Sequence, residues 1–160
     1  MSANTITVAQ LMQEPIFGNI CIIGQPATGK TLISKMLATK LPDHAVFHAD
    51  DYIVYGWEES MYRLLDDILP CPQPTIVEGI AGYRLLRKGA QLKCYYPEAV
   101  IEMSAPYEQI TRVYATERDP EKIKNLKAFM GRNDTVLNAY LEIEVPEDLQ
   151  PRWLKVENIF

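Results

Sequence analysis

The chain has 160 residues, about the length of one domain, and its 48% hydrophobic content is typical of a folded globular protein. A net charge of −5 argues against stable, non-specific binding to nucleic acid. Residues 1–10 lack the basic-then-apolar pattern of a leader, and no stretch of about 18 apolar residues occurs, so we expect a cytoplasmic protein without membrane association.

The spacing of apolar residues predicts strands that alternate with helices. A short helix at residues 8–13 precedes a buried strand at 19–23. Further strands are predicted at 45–49, 75–77, 99–103 and 153–156, the last of them at a sheet edge. Further helices are predicted at 30–41, 57–69, 83–88, 106–118, 120–130 and 135–143, with a turn at 131–134. This alternation predicts a single α/β domain with a parallel sheet covered by helices on both faces.

Residues 24–31 read Gly-Gln-Pro-Ala-Thr-Gly-Lys-Thr, a complete phosphate loop placed between a predicted strand and a predicted helix. Such loops surround nucleotide phosphates with backbone N–H groups at a helix N-terminus. The motif therefore predicts a three-layer α/β/α phosphate-loop NTPase fold that binds ATP or GTP. We assign nucleotide binding to Gly24, Gln25, Pro26, Ala27, Thr28, Gly29, Lys30, Thr31 and Leu32. Within this set, Lys30 is expected to be catalytic and Thr31 to bind Mg²⁺.

Carboxylates follow two further predicted strands, at the sheet edge where ligands bind. Asp50, Asp51 and Tyr52 follow the strand at 45–49. We expect Asp50 to accept the proton of an attacking hydroxyl group and to help hold Mg²⁺, and Asp51 and Tyr52 to contact the substrate. Glu78 follows the strand at 75–77 and is expected to bind metal or orient the substrate. The alternative functions are a turn or helix cap for the aspartates and an exposed strand end for Glu78.

Residues 112–132 carry six basic and three acidic side chains, which is unusual in an acidic chain. The excess of positive charge predicts a mobile lid that closes over the phosphates. Arg118 is expected to act in catalysis, and Arg112 and Arg84 to bind the substrate. The alternative is a solvated helix face.

These motifs together resemble the uridine kinase and nicotinamide riboside kinase group of phosphate-loop kinases. The resemblance covers about residues 19–120 and is strongest at 24–31, 45–52 and 76–80. It implies that Asp50 is the catalytic base, that Glu78-Gly79 matches a Glu-Gly pair of the group, and that Arg118-Asp119 matches the Arg-Asp of its lid. Gln25-Pro26 is more similar to zeta-toxin-type phosphotransferases. The chain is short for a uridine kinase, so the resemblance does not carry over the substrate.

The sequence thus predicts a Mg²⁺-dependent kinase that transfers the γ-phosphoryl group of ATP or GTP to a hydroxyl group of a small acceptor, such as a nucleoside or nucleotide. Two alternatives stay open at this point: an NTPase that uses water as the acceptor, and a nucleotide-binding regulatory module with little or no turnover. The sequence leaves the oligomeric state open.

Overall fold

The computed structural model describes residues 5–159. One parallel sheet of six strands has the order β1-β6-β5-β2-β4-β3. The strands are Thr5–Ile6 (β1), Ile20–Gly24 (β2), Ala45–His48 (β3), Thr75–Glu78 (β4), Ala99–Ser104 (β5) and Arg152–Glu157 (β6). The α-helices are Val8–Gln13 (α1), Lys30–Lys40 (α2), Trp57–Ile68 (α3), Gly82–Gln91 (α4), Tyr107–Glu117 (α5) and Leu126–Leu141 (α6). Three 3-10 helices span Ala49–Tyr55, Pro120–Asn125 and Glu147–Leu149.

Both faces of the sheet are buried, as a parallel sheet requires. Every residue of the central strand β2 is buried, and its side chains alternate between two hydrophobic clusters. Ile20 and Ile22 pack with residues of α1 and α2, whereas Cys21 and Ile23 pack with residues of α3, α4 and α6. This arrangement confirms the predicted parallel sheet between two helical layers.

Two predictions about local structure are wrong. The turn expected at residues 131–134 lies inside the continuous helix α6, because the buried Asn133 and Val136 anchor that stretch to the rest of the protein. The strand expected at an edge is β6, which lies between β5 and β1. The edge is formed by the two-residue strand β1, which is too short to give a pattern in the sequence.

The strand order places the predicted functional segments side by side. Strand β2 lies between β4 and β5, and β3 pairs with β4 on its far side. In this register Glu78 is opposite Ile22 of β2 and His48 of β3. The residues that follow β2, β3 and β4 therefore meet at one edge of the sheet, where ligands of open α/β sheets bind.

Candidate active site

In the phosphate loop, residues 24–31, the lysine side chain is buried and hydrogen-bonded to the loop backbone. Gly29 adopts a left-handed conformation with φ of 93° and caps the N-terminus of α2, a conformation that a residue with a side chain rarely adopts. Lys30 is 7% exposed, and its Nζ donates a hydrogen bond of 2.8 Å to the carbonyl oxygen of Gln25. The Thr28 hydroxyl donates to the same oxygen at 2.8 Å. The Lys30 ammonium is thus buried and hydrogen-bonded to the backbone of the phosphate loop.

The environment of Lys30 destabilises its charged form relative to a lysine in water. Burial lowers the pKa of the Lys30 ammonium to about 8. The carboxylates of Asp50 and Glu78 act against this fall in pKa, and the guanidinium of Arg118 adds to it. A bound anion would restore the charge that burial disfavours, so this lysine is suited to a phosphate ligand.

A cleft of about 150 Å³ lies against the phosphate loop. It is lined by Pro26, Ala27, Gly29, Lys30, Thr31, Leu32, Asp50, Glu78, Ile80 and Arg118. The cleft contains every residue that the sequence analysis assigned to catalysis and every residue that it assigned to metal binding. The three loop residues outside this lining are Gly24, which ends β2, the buried Thr28, and Gln25.

The Asp50 carboxylate is held in this cleft by two backbone donors. The N–H of Ala81 donates to Asp50 Oδ1 at 2.9 Å, and the N–H of Ile80 donates to Oδ2 at 3.2 Å. Gly79 makes this approach feasible, because its φ is 141° and a Cβ atom there would lie 2.7 Å from Asp50 Oδ1. The Glu-Gly sequence after β4 therefore has a structural reason: the glycine makes room for the aspartate.

Glu78 is also oriented by a specific partner. It is 6% exposed, and its Oε1 lies 2.6 Å from Nδ1 of His48. His48 was not among the residues that the sequence analysis assigned to the site. Its pairing follows from the sheet register, since His48 and Glu78 end neighbouring strands at the same level. A prediction of the pairing register between these two strands would have placed His48 beside Glu78.

Three residues assigned to substrate binding lie outside the cleft lining. Asp51 is exposed on the 3-10 helix Ala49–Tyr55, and Arg112 is exposed on α5. The Tyr52 hydroxyl donates to Asp67 Oδ2 at 2.5 Å, and burial, assisted by Asp67, raises the pKa of Tyr52 to about 12. The roles of these residues in substrate binding stay predictions.

The fourth, Arg84, lies at the contact between α4 and α6. Its guanidinium stacks 3.9 Å from the centre of the Trp57 ring and donates to Asn133 Oδ1 at 3.4 Å. Burial, followed by the positive charges of Arg87 and Arg132, lowers the pKa of Arg84. The structure thus brings Arg84 of α4 close to Arg132 of α6.

Gln25 connects the phosphate loop to α6, which sequence reasoning did not anticipate. Its Nε2 donates to the carbonyl oxygen of Met130 and to Asp134 Oδ1, both at 3.0 Å. Its Oε1 accepts from Nδ2 of the fully buried Asn133 at 2.9 Å. The side chain of a phosphate-loop residue therefore fixes the position of the helix that carries Arg132.

The predicted lid, residues 112–132, comprises the end of α5, the 3-10 helix Pro120–Asn125 and the start of α6. A small hydrophobic cluster joins it to the phosphate loop, with Ala27 packed together with Ile110, Tyr114 and Leu126. Arg118 immediately follows α5 and reaches the cleft. Nothing in the structure tests whether this segment moves, so its role as a lid stays a prediction.

The donor atoms of the cleft suit Mg²⁺, which prefers oxygen ligands. Thr31, Asp50 and Glu78 bring a hydroxyl group and two carboxylates to the same cavity. Among residues 5–159 there is no group of three or more His, Cys, Asp or Glu side chains placed to hold a metal ion. Magnesium in phosphate-transfer sites is commonly held by one or two carboxylates together with substrate phosphates.

Across residues 5–159, no helix has the length and apolar character needed to cross a membrane.

Comparison with known proteins gives structural neighbours only. No family model and no curated protein matches the chain. The structure is similar to a shikimate kinase from Acinetobacter baumannii in complex with shikimate, with 15% identity, a TM-score of 0.55, and coverage of 90% of this chain and 85% of that chain. It is also similar to an uncharacterized protein from Eubacterium ventriosum, with 13% identity, a TM-score of 0.53, and coverage of 87% and 88%. A gluconokinase from Sinorhizobium meliloti matches with 12% identity, a TM-score of 0.48, and coverage of 88% and 82%.

At these identities the likeness concerns the fold. The chain has the three-layer α/β/α architecture of phosphate-loop kinases, which confirms the fold predicted from the sequence. The finer resemblance to the uridine kinase and nicotinamide riboside kinase group, or to zeta-toxin-type phosphotransferases, stays a prediction.

Proposed function

We propose that the protein is a Mg²⁺-dependent kinase that transfers the γ-phosphoryl group of ATP or GTP to a hydroxyl group of a small acceptor. The position of the Asp50 carboxylate carries this proposal, because it lines the same cleft as the Lys30 ammonium. Phosphoryl transfer to an alcohol requires an acceptor for the hydroxyl proton, and a carboxylate held beside the phosphates supplies one. A module that only binds nucleotides has no need of it.

The cations of the cleft match the charge of the transferred group. In phosphoryl transfer the negative charge is spread over the phosphoryl oxygens, and catalysis consists mainly of positioning and charge stabilisation. Lys30 lies at the N-terminus of α2, whose positive end also attracts anions. Arg118 lines the same cleft from the end of α5. We assign both residues to stabilisation of the phosphoryl oxygens.

Asp50 acts as the general base in this proposal. As the acceptor oxygen forms its bond to the γ-phosphorus, its proton passes to the Asp50 carboxylate, and the bond between the γ-phosphorus and the bridging oxygen breaks to release the nucleoside diphosphate. The backbone N–H groups of Ile80 and Ala81 keep the carboxylate in place during this step.

Thr31, Asp50 and Glu78 are the residues that would hold Mg²⁺. The ion, when bound, neutralises the β- and γ-phosphate oxygens. His48 keeps the Glu78 carboxylate oriented through their 2.6 Å contact. We assign Asp50 both roles, general base and metal ligand, because its side chain lines the cleft that also contains Thr31 and Glu78.

A small-molecule acceptor agrees with the comparisons and with the sequence. One similar structure is that of a shikimate kinase in complex with shikimate. The resemblance to the uridine kinase and nicotinamide riboside kinase group points to a nucleoside or nucleotide. We further propose that residues 1–160 form one kinase domain and that residues 112–132 act as its lid, which is supported by the contribution of Arg118 to the cleft.

The test is transfer of label from γ-labelled ATP to a panel of nucleosides, nucleotides and sugars. Asp50→Asn should lower kcat by about 10²- to 10⁴-fold and leave the Kd of ATP, measured without Mg²⁺, nearly unchanged. Asp148→Asn is the control, since Asp148 is exposed, lies outside the cleft lining and has no assigned role. Label released only as inorganic phosphate would instead indicate an NTPase. Nucleotide binding without turnover in any variant would indicate a regulatory module.

A further inference from the structure

A second cavity, of about 360 Å³, adjoins the phosphate cleft. It is lined by Ile80, Tyr114, Lys122, Asn125, Leu126, Phe129 and Arg132. Ile80 lines both cavities, and its N–H group holds the Asp50 carboxylate. The volume falls within the range of about 300–1,000 Å³ that is typical of small-molecule sites. A molecule in this cavity would therefore lie next to the residues that position the proposed base.

The charged side chains of this cavity are all positive. Lys122 and Arg132 contribute two cations, and the lining includes no Asp or Glu. Across residues 5–159 there are five ion pairs, and neither Lys122 nor Arg132 belongs to any of them. Both side chains are exposed and hydrated in the unliganded protein, and a cavity whose charged side chains are all positive favours an anionic ligand over a cationic one.

The position of Arg132 on α6 is fixed by the next residue, Asn133, which is fully buried and hydrogen-bonded to Gln25 of the phosphate loop. The Arg132 guanidinium packs 5.7 Å from the centre of the Phe129 ring. Burial, followed by the positive charges of Arg87 and Arg132, lowers the pKa of the neighbouring Arg84.

The rest of the cavity is suited to the carbon frame of a small molecule. Tyr114, Leu126 and Phe129 give it apolar and aromatic walls, and Asn125 adds an amide that can bond a hydroxyl group. Mixed walls of this kind favour a molecule with a carbon chain or ring over a bare inorganic anion.

We propose that this cavity binds the phosphoryl acceptor, and that the acceptor is a small hydroxylated anion whose carboxylate or phosphate group contacts Arg132 and Lys122 while a hydroxyl group faces Asp50. The proposal rests on the proposed kinase function and narrows it. Neutral nucleosides would leave both cations unmatched, whereas nucleotides, sugar phosphates and hydroxy acids satisfy them.

The experiment uses pairs of probes in which one member carries an anionic group that the other lacks. Glycerate, shikimate and ribose 5-phosphate are each compared with a neutral counterpart: glyceramide, methyl shikimate and ribose. Calorimetry measures the Kd of each probe for the full chain, alone and with Mg²⁺ and a non-hydrolysable ATP analogue. We expect at least one anion to bind about tenfold or more tightly than its neutral counterpart. Arg132→Gln should then weaken that binding by about 10- to 100-fold.

Lys124→Gln is the matched control, because Lys124 is an exposed cation of the same 3-10 helix as Lys122 and is paired with Glu121. Its Kd for the anion should stay within about twofold of wild type. The proposal is overturned if no anion of the panel binds, if the neutral counterparts bind equally well, or if Arg132→Gln and Lys124→Gln behave alike. Because binding is measured without turnover, these outcomes differ from a failure of the kinase function, in which an anion binds but no label is transferred.

Discussion

Replacement of Lys30 with methionine should stabilise the unliganded protein and abolish nucleotide binding. Lys30 is 7% exposed, and its ammonium group donates a hydrogen bond of 2.8 Å to the Gln25 carbonyl oxygen. Burial lowers its pKa from the ordinary value of 10.5 to about 8. The native state therefore holds this proton less tightly than the unfolded chain does, and at neutral pH the charged lysine works against folding.

The size of the effect follows from that pKa. A fall from 10.5 to about 8, at about 1.4 kcal/mol for each factor of ten in acidity, corresponds to about 3 kcal/mol against folding below pH 8. Methionine keeps an unbranched, largely apolar side chain but loses one hydrogen bond, worth about 1 kcal/mol. The Gln25 oxygen keeps its bond from Thr28. The net gain is about 2 kcal/mol, or a rise in Tm of about 4–8 °C.

Urea unfolding of both proteins from pH 7 to pH 10 tests the reasoning. Between pH 8 and 10.5 only the unfolded wild-type chain keeps the Lys30 proton, so wild-type stability rises with pH relative to Lys30→Met. The advantage of the variant should therefore shrink by about 1.4 kcal/mol per pH unit above pH 8. Calorimetry should show that the variant has lost Mg-ATP affinity by about 100-fold or more. A variant less stable than wild type at pH 7, or a difference independent of pH, would refute the argument.

Three further expectations concern the same site. The Kd of Mg-ATP for wild type should rise by up to about tenfold per pH unit above pH 8, because Lys30 loses its proton in the unliganded protein. Calorimetry in buffers of different ionisation enthalpy should therefore detect proton uptake on nucleotide binding. Gly79→Ala places a methyl group 2.7 Å from Asp50 Oδ1, so kcat should fall by about 100-fold with little change in nucleotide Kd, and a kcat within twofold of wild type would contradict the assignment. Gln25→Leu removes three hydrogen bonds to α6 and leaves the buried Nδ2 group of Asn133 without its acceptor, so urea unfolding should show a loss of about 2–4 kcal/mol and hydrogen exchange should quicken across residues 126–135.

The sequence was sufficient for the parts of the site that depend on one continuous motif. The phosphate loop lies between a strand and a helix because glycines at its bends and an apolar run before it are local signals. Asp50 and Glu78 could be placed at the same sheet edge because strand order in parallel sheets brings successive carboxyl ends together.

The parts that the sequence did not reveal depend on contacts between distant segments. Gln25 and Asn133 are 108 residues apart, and nothing in the local pattern of either predicts a hydrogen bond between their side chains. The same contact explains why the Gly-Arg-Asn-Asp stretch at 131–134, which reads as a turn, is helical. Tertiary contacts outweighed local propensity at this point, as they commonly do when a polar residue is buried with its partners.

The contact between Gln25 and α6 also has a consequence for how the two cavities communicate. Gln25 belongs to the segment that would hold the phosphates, and its side chain bonds the turn of α6 that carries Arg132. These hydrogen bonds, of 2.9–3.0 Å, directly join the phosphate loop to the helix that lines the cationic cavity, so we expect nucleotide and anion binding to be coupled. By linkage, an anion bound at Arg132 would affect nucleotide affinity to the same degree as the nucleotide affects the anion. If the Gln25 contact carries this coupling, Gln25→Leu should reduce the change in nucleotide Kd that the anion produces, and the reciprocal change in anion Kd with it. A coupling that is unchanged in Gln25→Leu would show that the two cavities communicate by another route.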